Sequence, residues 1–245
     1  MEETIVVKKA KRIAEKPIKP AQKPKGLPIN QLAKKKYAEV SGLDAEFIEC
    51  FGDIDASFDM ILFGDSSNGK TNGTAQILEA LIVAFKCKCN YISYEEGTGK
   101  TMFKVLIEEH KLHEKHGNCL TLYEDFSYEQ LNYYMHQQRS AKIWVIDSLQ
   151  ASGLTFEQVE QLKKRYVLGK GGNKKILIFI SWADGKLPSG AVAKSVRYYA
   201  NIKVRVEGFI FFIRSRYGSK KNFVSYEAGA KTYWGKAFKK MIVKK

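Results

Sequence analysis

One stretch restricts the folds open to this chain more than any other. Gly64-Asp65-Ser66-Ser67-Asn68-Gly69-Lys70-Thr71 follows an apolar run, Met60-Ile-Leu-Phe63, and precedes a helical pattern that reaches about Lys86. The spacing is that of a loop that wraps phosphates. Its glycines let backbone N–H groups converge on the anion, and the helix behind it presents the positive end of its dipole. Lys70 is placed to reach the β- and γ-phosphates, and the Thr71 hydroxyl to ligate Mg2+. The expected binding set is therefore Gly64, Asp65, Ser66, Ser67, Asn68, Gly69, Lys70, Thr71 and Asn72, with a nucleoside triphosphate and Mg2+ as cofactors. Such a loop needs a buried strand before it and a helix after it, so one β–α unit is fixed at once.

The rest of the chain continues that alternation. Asn90-Tyr-Ile-Ser93, Cys119-Leu-Thr-Leu-Tyr123, Lys142-Ile-Trp-Val-Ile146 and Ile176-Leu-Ile-Phe-Ile180 read as strands. Helices are expected over about 101–116, 127–139 and 155–167, the last opened by the capping-box form Thr155-Phe-Glu-Gln158. Continuous apolar strands separated by helices predict an α/β fold, a mostly parallel sheet flanked by helices on both faces. After residue 200 the pattern becomes strands alone, at 202–206, 208–214 and 222–226, which predicts antiparallel strands at the C-terminal edge. Residues 31–51 read as a helix with Leu32, Tyr37, Val40, Phe47 and Ile48 on its apolar side, broken near Ser41-Gly42. Four of the five prolines, Pro17, Pro20, Pro24 and Pro28, lie among lysines, so residues 1–29 read as an extended basic tail. The expected domain is then 30–245, with a basic extension from about 228.

Charge points to a polyanion. The chain of 245 residues carries a net +15. Residues 1–36 hold 11 basic and 3 acidic side chains, residues 220–245 hold 8 and 1, and the remainder holds 22 of each. Two basic ends around a neutral body suit attachment to a nucleic acid, with solubility as the plainer alternative. No apolar run approaches the roughly 18 residues of a membrane span, and the acidic start lacks a secretory h-region. Cys50, Cys87, Cys89 and Cys119 are too scattered for a disulfide framework or a zinc knuckle. The expectation is a cytoplasmic, nucleoid-associated protein with no membrane partner. His110, His113 and His116 step by three, so on a helix the outer two diverge by about 120°; they read as a solvated face. Phe223, Tyr226, Tyr233, Trp234 and Phe238, interspersed with lysines, fit either base stacking or the anchoring of a last strand and helix.

Two further segments carry chemistry. Ile143-Trp-Val-Ile-Asp147 is an apolar strand ending in a carboxylate, suited to contact Mg2+ through water, so the metal set is Thr71 and Asp147. Tyr91-Ile-Ser-Tyr-Glu95-Glu96 sets two acids beside the expected γ-phosphate, where a carboxylate orients and polarises an attacking water. A helix N-terminus that favours acids is the plainer account of the same pair. Gly97-Thr-Gly99-Lys100-Thr101 imitates the end of a second phosphate loop, but Tyr94 occupies the place of its first glycine and Glu95 and Glu96 would repel phosphate. It reads as a helix start.

The order of these segments resembles the RecA-like P-loop ATPase superfamily, and within it the RadA/Sms and DnaB-type branch. Tyr91-Ile-Ser-Tyr-Glu-Glu resembles that branch's Tyr-Val-Ser-Gly-Glu-Glu, Val145-Ile-Asp147-Ser148 its Walker B segment, and Ile213-Arg214-Ser-Arg216-Tyr-Gly218 its Lys-Asn-Arg-Phe-Gly motif. The likeness covers about residues 55–227. It implies an ATP-hydrolysing motor acting on DNA in recombination, repair or replication, with single-stranded DNA as the expected form. It also implies ATP as the nucleotide, Glu95 as the catalytic carboxylate with Glu96 in reserve, and a homo-oligomeric ring or filament. Arg214 and Arg216 would act across a subunit boundary. No CxxC zinc finger precedes the loop, no protease-like domain follows the core, and Ser181-Trp-Ala-Asp184 only loosely matches the polar sensor expected after the fifth strand. A compact form of this kind would suit a phage or mobile element. An ATP-gated DNA-binding mediator with little turnover and a KaiC-like signalling ATPase are the alternatives.

Overall fold

A computed structural model describes residues 26–35, 40–169 and 173–244, and the chain divides into two units, 1–37 and 38–245. In the first unit, α1 (Ile29–Ala33) follows Pro28, whose carbonyl accepts from the Gln31 and Leu32 N–H groups at 2.9 and 3.0 Å. The expected tail lies outside the described residues except for 26–29.

The second unit opens with α2 (Ala45–Phe51), capped by the Asp44 carboxylate, which accepts from the Phe47 N–H at 2.6 Å. The helix expected over 31–51 carries its expected break near Ser41-Gly42, and residues 36–39 of that span lie outside the described residues. A turn at Ser41-Gly42 separates α2 from what precedes it, and Gly42 has φ +93°.

The alternation follows: β1 (Asp59–Phe63), α3 (Lys70–Phe85), β2 (Cys89–Ser93), α4 (Lys100–Phe103), α5 (Leu112–His116), β3 (Leu120–Tyr123), α6 (Tyr128–His136), β4 (Ile143–Asp147), α7 (Phe156–Leu162) and β5 (Ile176–Ser181). Both α6 and α7 start with capping boxes, from Ser127 and Thr155. The helix expected over 101–116 is interrupted. After α4 it widens into a π-helical stretch, Lys104–Glu109, and Lys111 in the left-handed region (φ 51°) separates α5 from it. The three histidines thus do not share one helix. Among the described residues no group of His, Cys, Asp or Glu is arranged to hold a metal.

Beyond β5 come a small hairpin, β6 (Ala183–Asp184) and β7 (Leu187–Pro188), then α8 (Ala191–Tyr199), β8 (Ile202–Glu207), β9 (Ile210–Ser215), β10 (Phe223–Val224), α9 (Glu227–Trp234) and α10 (Phe238–Ile242). The eight-stranded sheet has the order β10-β9-β8-β1-β5-β4-β2-β3. β1 pairs in parallel with β5 and β8, and β2 with β3 and β4, whereas β9 runs antiparallel to β8 and β10 to β9. The antiparallel edge is present, but its first strand differs from expectation. α8 returns the chain across the sheet, so β8 joins β1 in parallel, and only β9 and β10 reverse.

The inner strands are buried on both faces. Met60 and Leu62 pack with Leu78 and Leu81 of α3, while Ile61, Trp144 and Phe179 pack on the other side with Leu131, Val159 and Val196 of α6, α7 and α8. Trp234 and Phe238 pack with Ile210 and Phe212, and Phe223 stacks edgewise on Phe211. Anchoring, the second of the two readings, accounts for these three aromatics; Tyr226 and Tyr233 remain exposed. Among the described residues no helix is long and apolar enough to cross a membrane.

Candidate nucleotide site

A cavity of about 670 Å³ opens at the C-terminal ends of β1, β2 and β4. Its floor is the loop 64–69 and the first turn of α3. Gly69 caps that helix in the left-handed region (φ 86°), which lets the chain turn from loop to helix directly beneath the cavity. Gly64 is required for a different reason: a Cβ there would meet the Val206 carbonyl oxygen of β8 at 2.3 Å. Ser66, Ser67, Gly69, Lys70, Thr71 and Asn72 line the cavity. Gly64, Asp65 and Asn68 stand behind it. Asn68 ties the loop to the β8–β9 turn, its Oδ1 accepting from the Gly208 N–H at 2.7 Å and its carbonyl from the Phe209 N–H at 3.3 Å.

Lys70 Nζ donates to the Gly64 and Asp65 carbonyls, both at 2.8 Å. Burial pulls its ammonium below the usual lysine range, while Asp147, Asp65, Glu95 and Glu96 push back. An arriving polyphosphate would exchange those carbonyls for charge-assisted contacts.

Asp147 ends β4 opposite. Burial raises its carboxyl to about 6, Glu95 and Glu96 adding to the rise, against a hydrogen bond from the Tyr91 hydroxyl and the attraction of Lys70. Tyr91 is itself buried and held protonated, so it donates to Asp147 Oδ2. The Asp147–Ser148 peptide bond is cis.

Glu95 and Glu96 follow β2, exposed and on the cavity wall. Glu95 Oε1 accepts from Trp182 Nε1 at 2.6 Å. At the other end Phe209 and Tyr226, edge to face at 5.5 Å, offer an aromatic wall suited to a planar base. The donor set fits a Mg2+-nucleotide: a hydroxyl (Thr71) and a carboxylate (Asp147) for the hard cation, with an ammonium and helix N–H groups for the phosphates.

Arg214 and Arg216 are not part of this cavity. Arg214, across from Lys203 on β8, lines a second groove with Lys186, Arg197 and Arg205, and among the described residues its lining includes no Asp or Glu. Arg216 lies beside Asp59 and Lys163. The segment 97–101 is a helix start, with Gly99 as the N-cap of α4, although Thr101 reaches the cavity wall. Sequence reasoning did not give Phe209, Tyr226 or Trp182 a place here. A bulky residue after Gly208 in a hairpin turn was the available signal for Phe209; in the sequence Tyr226 stands out only as a stacking or anchoring aromatic, and Trp182 only within the loosely matched segment Ser181-Trp-Ala-Asp184.

No protein-family model and no curated protein matches the sequence. Solved structures do. A KaiC-like protein, PH0186, from Pyrococcus horikoshii OT3 superposes with a TM-score of 0.54 at 19% identity, over 77% of this chain and 95% of that one. The flagellar accessory protein FlaH from Methanocaldococcus jannaschii gives 0.55 at 17% identity with the same coverages. The fold is RecA-like, a parallel sheet flanked by helices with an antiparallel edge.

Proposed function

We propose that the chain is a Mg2+-dependent ATPase of the RadA and DnaB-type branch that acts on DNA, single strands above all, as a ring or filament in the cytoplasm. The observation that carries the ATPase reading is the convergence of Lys70, Thr71, Asp147 and Glu95 on one cavity at the carboxyl ends of the strands. Lys70 and the first-turn N–H groups of α3 bind the phosphates. Thr71 and Asp147 would hold Mg2+, which when bound neutralises charge on the β- and γ-phosphates. Glu95 orients the attacking water and takes its proton. Phe209 and Tyr226 receive the base.

The cationic groove around Arg214 supports assembly. Arg197, Lys203, Arg205 and Arg214 converge there, with Arg205 paired to Glu207. Burial, and then repulsion from Arg216 and Arg197, lowers the Lys203 ammonium below its usual range. A surface that gathers like charges gains from a polyanion, and the triphosphate held by a second copy is one, with Arg214 and Arg216 reaching it in trans. The DNA reading rests on the two basic ends, including the tail over 1–29. A KaiC-like signalling role is the second reading, favoured by the likeness to PH0186.

ATP turnover measured with and without single-stranded DNA tests these together. Glu95→Gln is expected to keep nucleotide affinity and slow hydrolysis by roughly 10²–10⁴, and DNA is expected to stimulate the unsubstituted protein. Unchanged turnover in folded Lys70→Ala protein refutes the ATPase reading. Turnover indifferent to DNA, with no DNA binding, favours the signalling role.

A further inference from the structure

Glu95 lies on an exposed turn between β2 and α4, a poor platform for a group that must meet a water within a few tenths of an ångström. Its carboxylate is held from elsewhere. Trp182 Nε1 donates to Glu95 Oε1 at 2.6 Å, although the indole is 47% exposed and gains little by burial. An indole N–H only donates and does not titrate, so it can hold a carboxylate without competing for its proton.

Trp182 is in turn fixed by the ends of two central strands. Its backbone N–H donates to Gln150 Oε1 at 3.3 Å, and Gln150 Nε2 donates to Ser181 Oγ at 2.8 Å and to the Ser189 carbonyl at 2.7 Å. The Trp182 carbonyl accepts from Ser189 N–H and from Ser181 Oγ, both at 2.9 Å. Gln150 follows β4 and Asp147, and Ser181 ends β5. The chain of contacts therefore runs from the buried sheet through Gln150 and Trp182 to the exposed glutamate.

We propose that Trp182 is the positioning residue for Glu95: its indole N–H holds Oε1 against the rigid end of β5, leaving Oε2 to face the water above the phosphate loop. This rests on the reading of Glu95 as the water-orienting carboxylate. It also gives a role to the position where a polar sensor was only loosely matched. Here the polar atom is an indole N–H, and it addresses the glutamate.

Trp182→Phe keeps an aromatic ring and removes the donor. Hydrogen bonds to charged groups predict that kcat falls about ten- to a hundredfold. KM and the affinity for a fluorescent ADP analogue should stay within about threefold, because Trp182→Phe keeps an aromatic ring on the cavity wall and removes only the donor to Glu95. The deciding comparison is the double variant. If Trp182 acts through Glu95, Trp182→Phe has no further effect on kcat in the Glu95→Gln background. An independent equilibrium readout is tryptophan emission, which Glu95→Gln should change in the parent protein and leave unchanged when Trp182 is Phe. Full loss from both substitutions in combination, or normal kcat in Trp182→Phe with Glu95→Gln slow, overturns the positioning role alone. Normal turnover in Glu95→Gln overturns the catalytic reading of Glu95 itself. If Trp182→Phe misfolds, the emission change caused by Glu95→Gln still decides: its absence overturns the contact.

Discussion

Replacing Asp147 by Asn should stabilise the protein while removing its grip on the metal. Burial raises the Asp147 carboxyl from 3.8 to about 6, so its ionised form is disfavoured in the folded chain. Two pKa units correspond to about 3 kcal/mol. Part of the rise comes from Glu95 and Glu96, which are exposed and screened, so about 1–3 kcal/mol is the expected range. The sign follows from proton uptake. Between the unfolded value near 3.8 and the folded value near 6, the folded state binds more protons than the unfolded one, so this group's contribution to stability declines as pH rises. Above about 6 the full penalty applies, and below the unfolded value there is none. An amide avoids the penalty and still accepts from the Tyr91 hydroxyl. In metal- and nucleotide-free protein at pH 7.5, Asp147→Asn should raise Tm by about 2–12 °C, at roughly 2–4 °C per kcal/mol. The gap should shrink through pH 6 towards pH 4. Melting followed by circular dichroism in EDTA across that range is the assay, with Mg2+-dependent nucleotide binding, expected to weaken, measured on the same samples. A lower Tm at pH 7.5, or a gap independent of pH, refutes the claim that burial strains this carboxylate.

Gly73→Ala should destabilise even though alanine is the better helix former by about 1 kcal/mol. Its Cβ would fall 2.0 Å from the buried Phe211 ring, itself backed by Phe223, so overpacking of about 1–3 kcal/mol should win in urea melts; a stabilised variant refutes the close approach of α3 to β9. Mixing Lys70→Ala with Arg216→Ala subunits should restore part of the ATP turnover that each lacks, because some interfaces regain both groups. Additive inactivity would leave Arg216 as a surface residue.

What could be read in the sequence was local. The phosphate loop is defined by spacing within eight residues, and the inner strands by unbroken apolar runs such as Ile176-Leu-Ile-Phe-Ile180, which belong to strands buried on both faces. The direction of β8 depended on an element that went unread. α8 carries Ala193 and Val196 inward over nine residues, and a helix between two strands of one sheet implies a parallel crossover. The break at Lys111 escaped because a lysine at positive φ leaves no compositional sign. Trp182 and Glu95 are 87 residues apart and meet only once β2 and β5 are laid in the sheet. The cationic groove is likewise assembled from α8, β8, β9 and the β6–β7 turn, so segment-by-segment charge counting assigned the excess to the ends of the chain and passed over it.

The glycines of the loop show how far such distant contacts reach into a motif that looks self-sufficient. Backbone donation to phosphate was reason enough to expect Gly64, yet the structure supplies a second constraint, the Val206 carbonyl, from a strand some 140 residues later. The β8–β9 turn then closes on the loop through Asn68. At its tip Phe209 holds φ 62°, a left-handed conformation that costs a non-glycine residue about 1–2 kcal/mol and that hairpin turns usually assign to Gly or Asn. Contacts offset that cost. The Phe209 carbonyl accepts from the Ser225 N–H at 3.0 Å and from Ser225 Oγ at 3.2 Å, and its ring meets Tyr226 at the cavity wall. The antiparallel edge is therefore structural support for the phosphate loop. The strand that carries Arg214 and leads into Arg216 begins at the turn that grips Asn68, so the loop and the Arg214 surface share one hairpin.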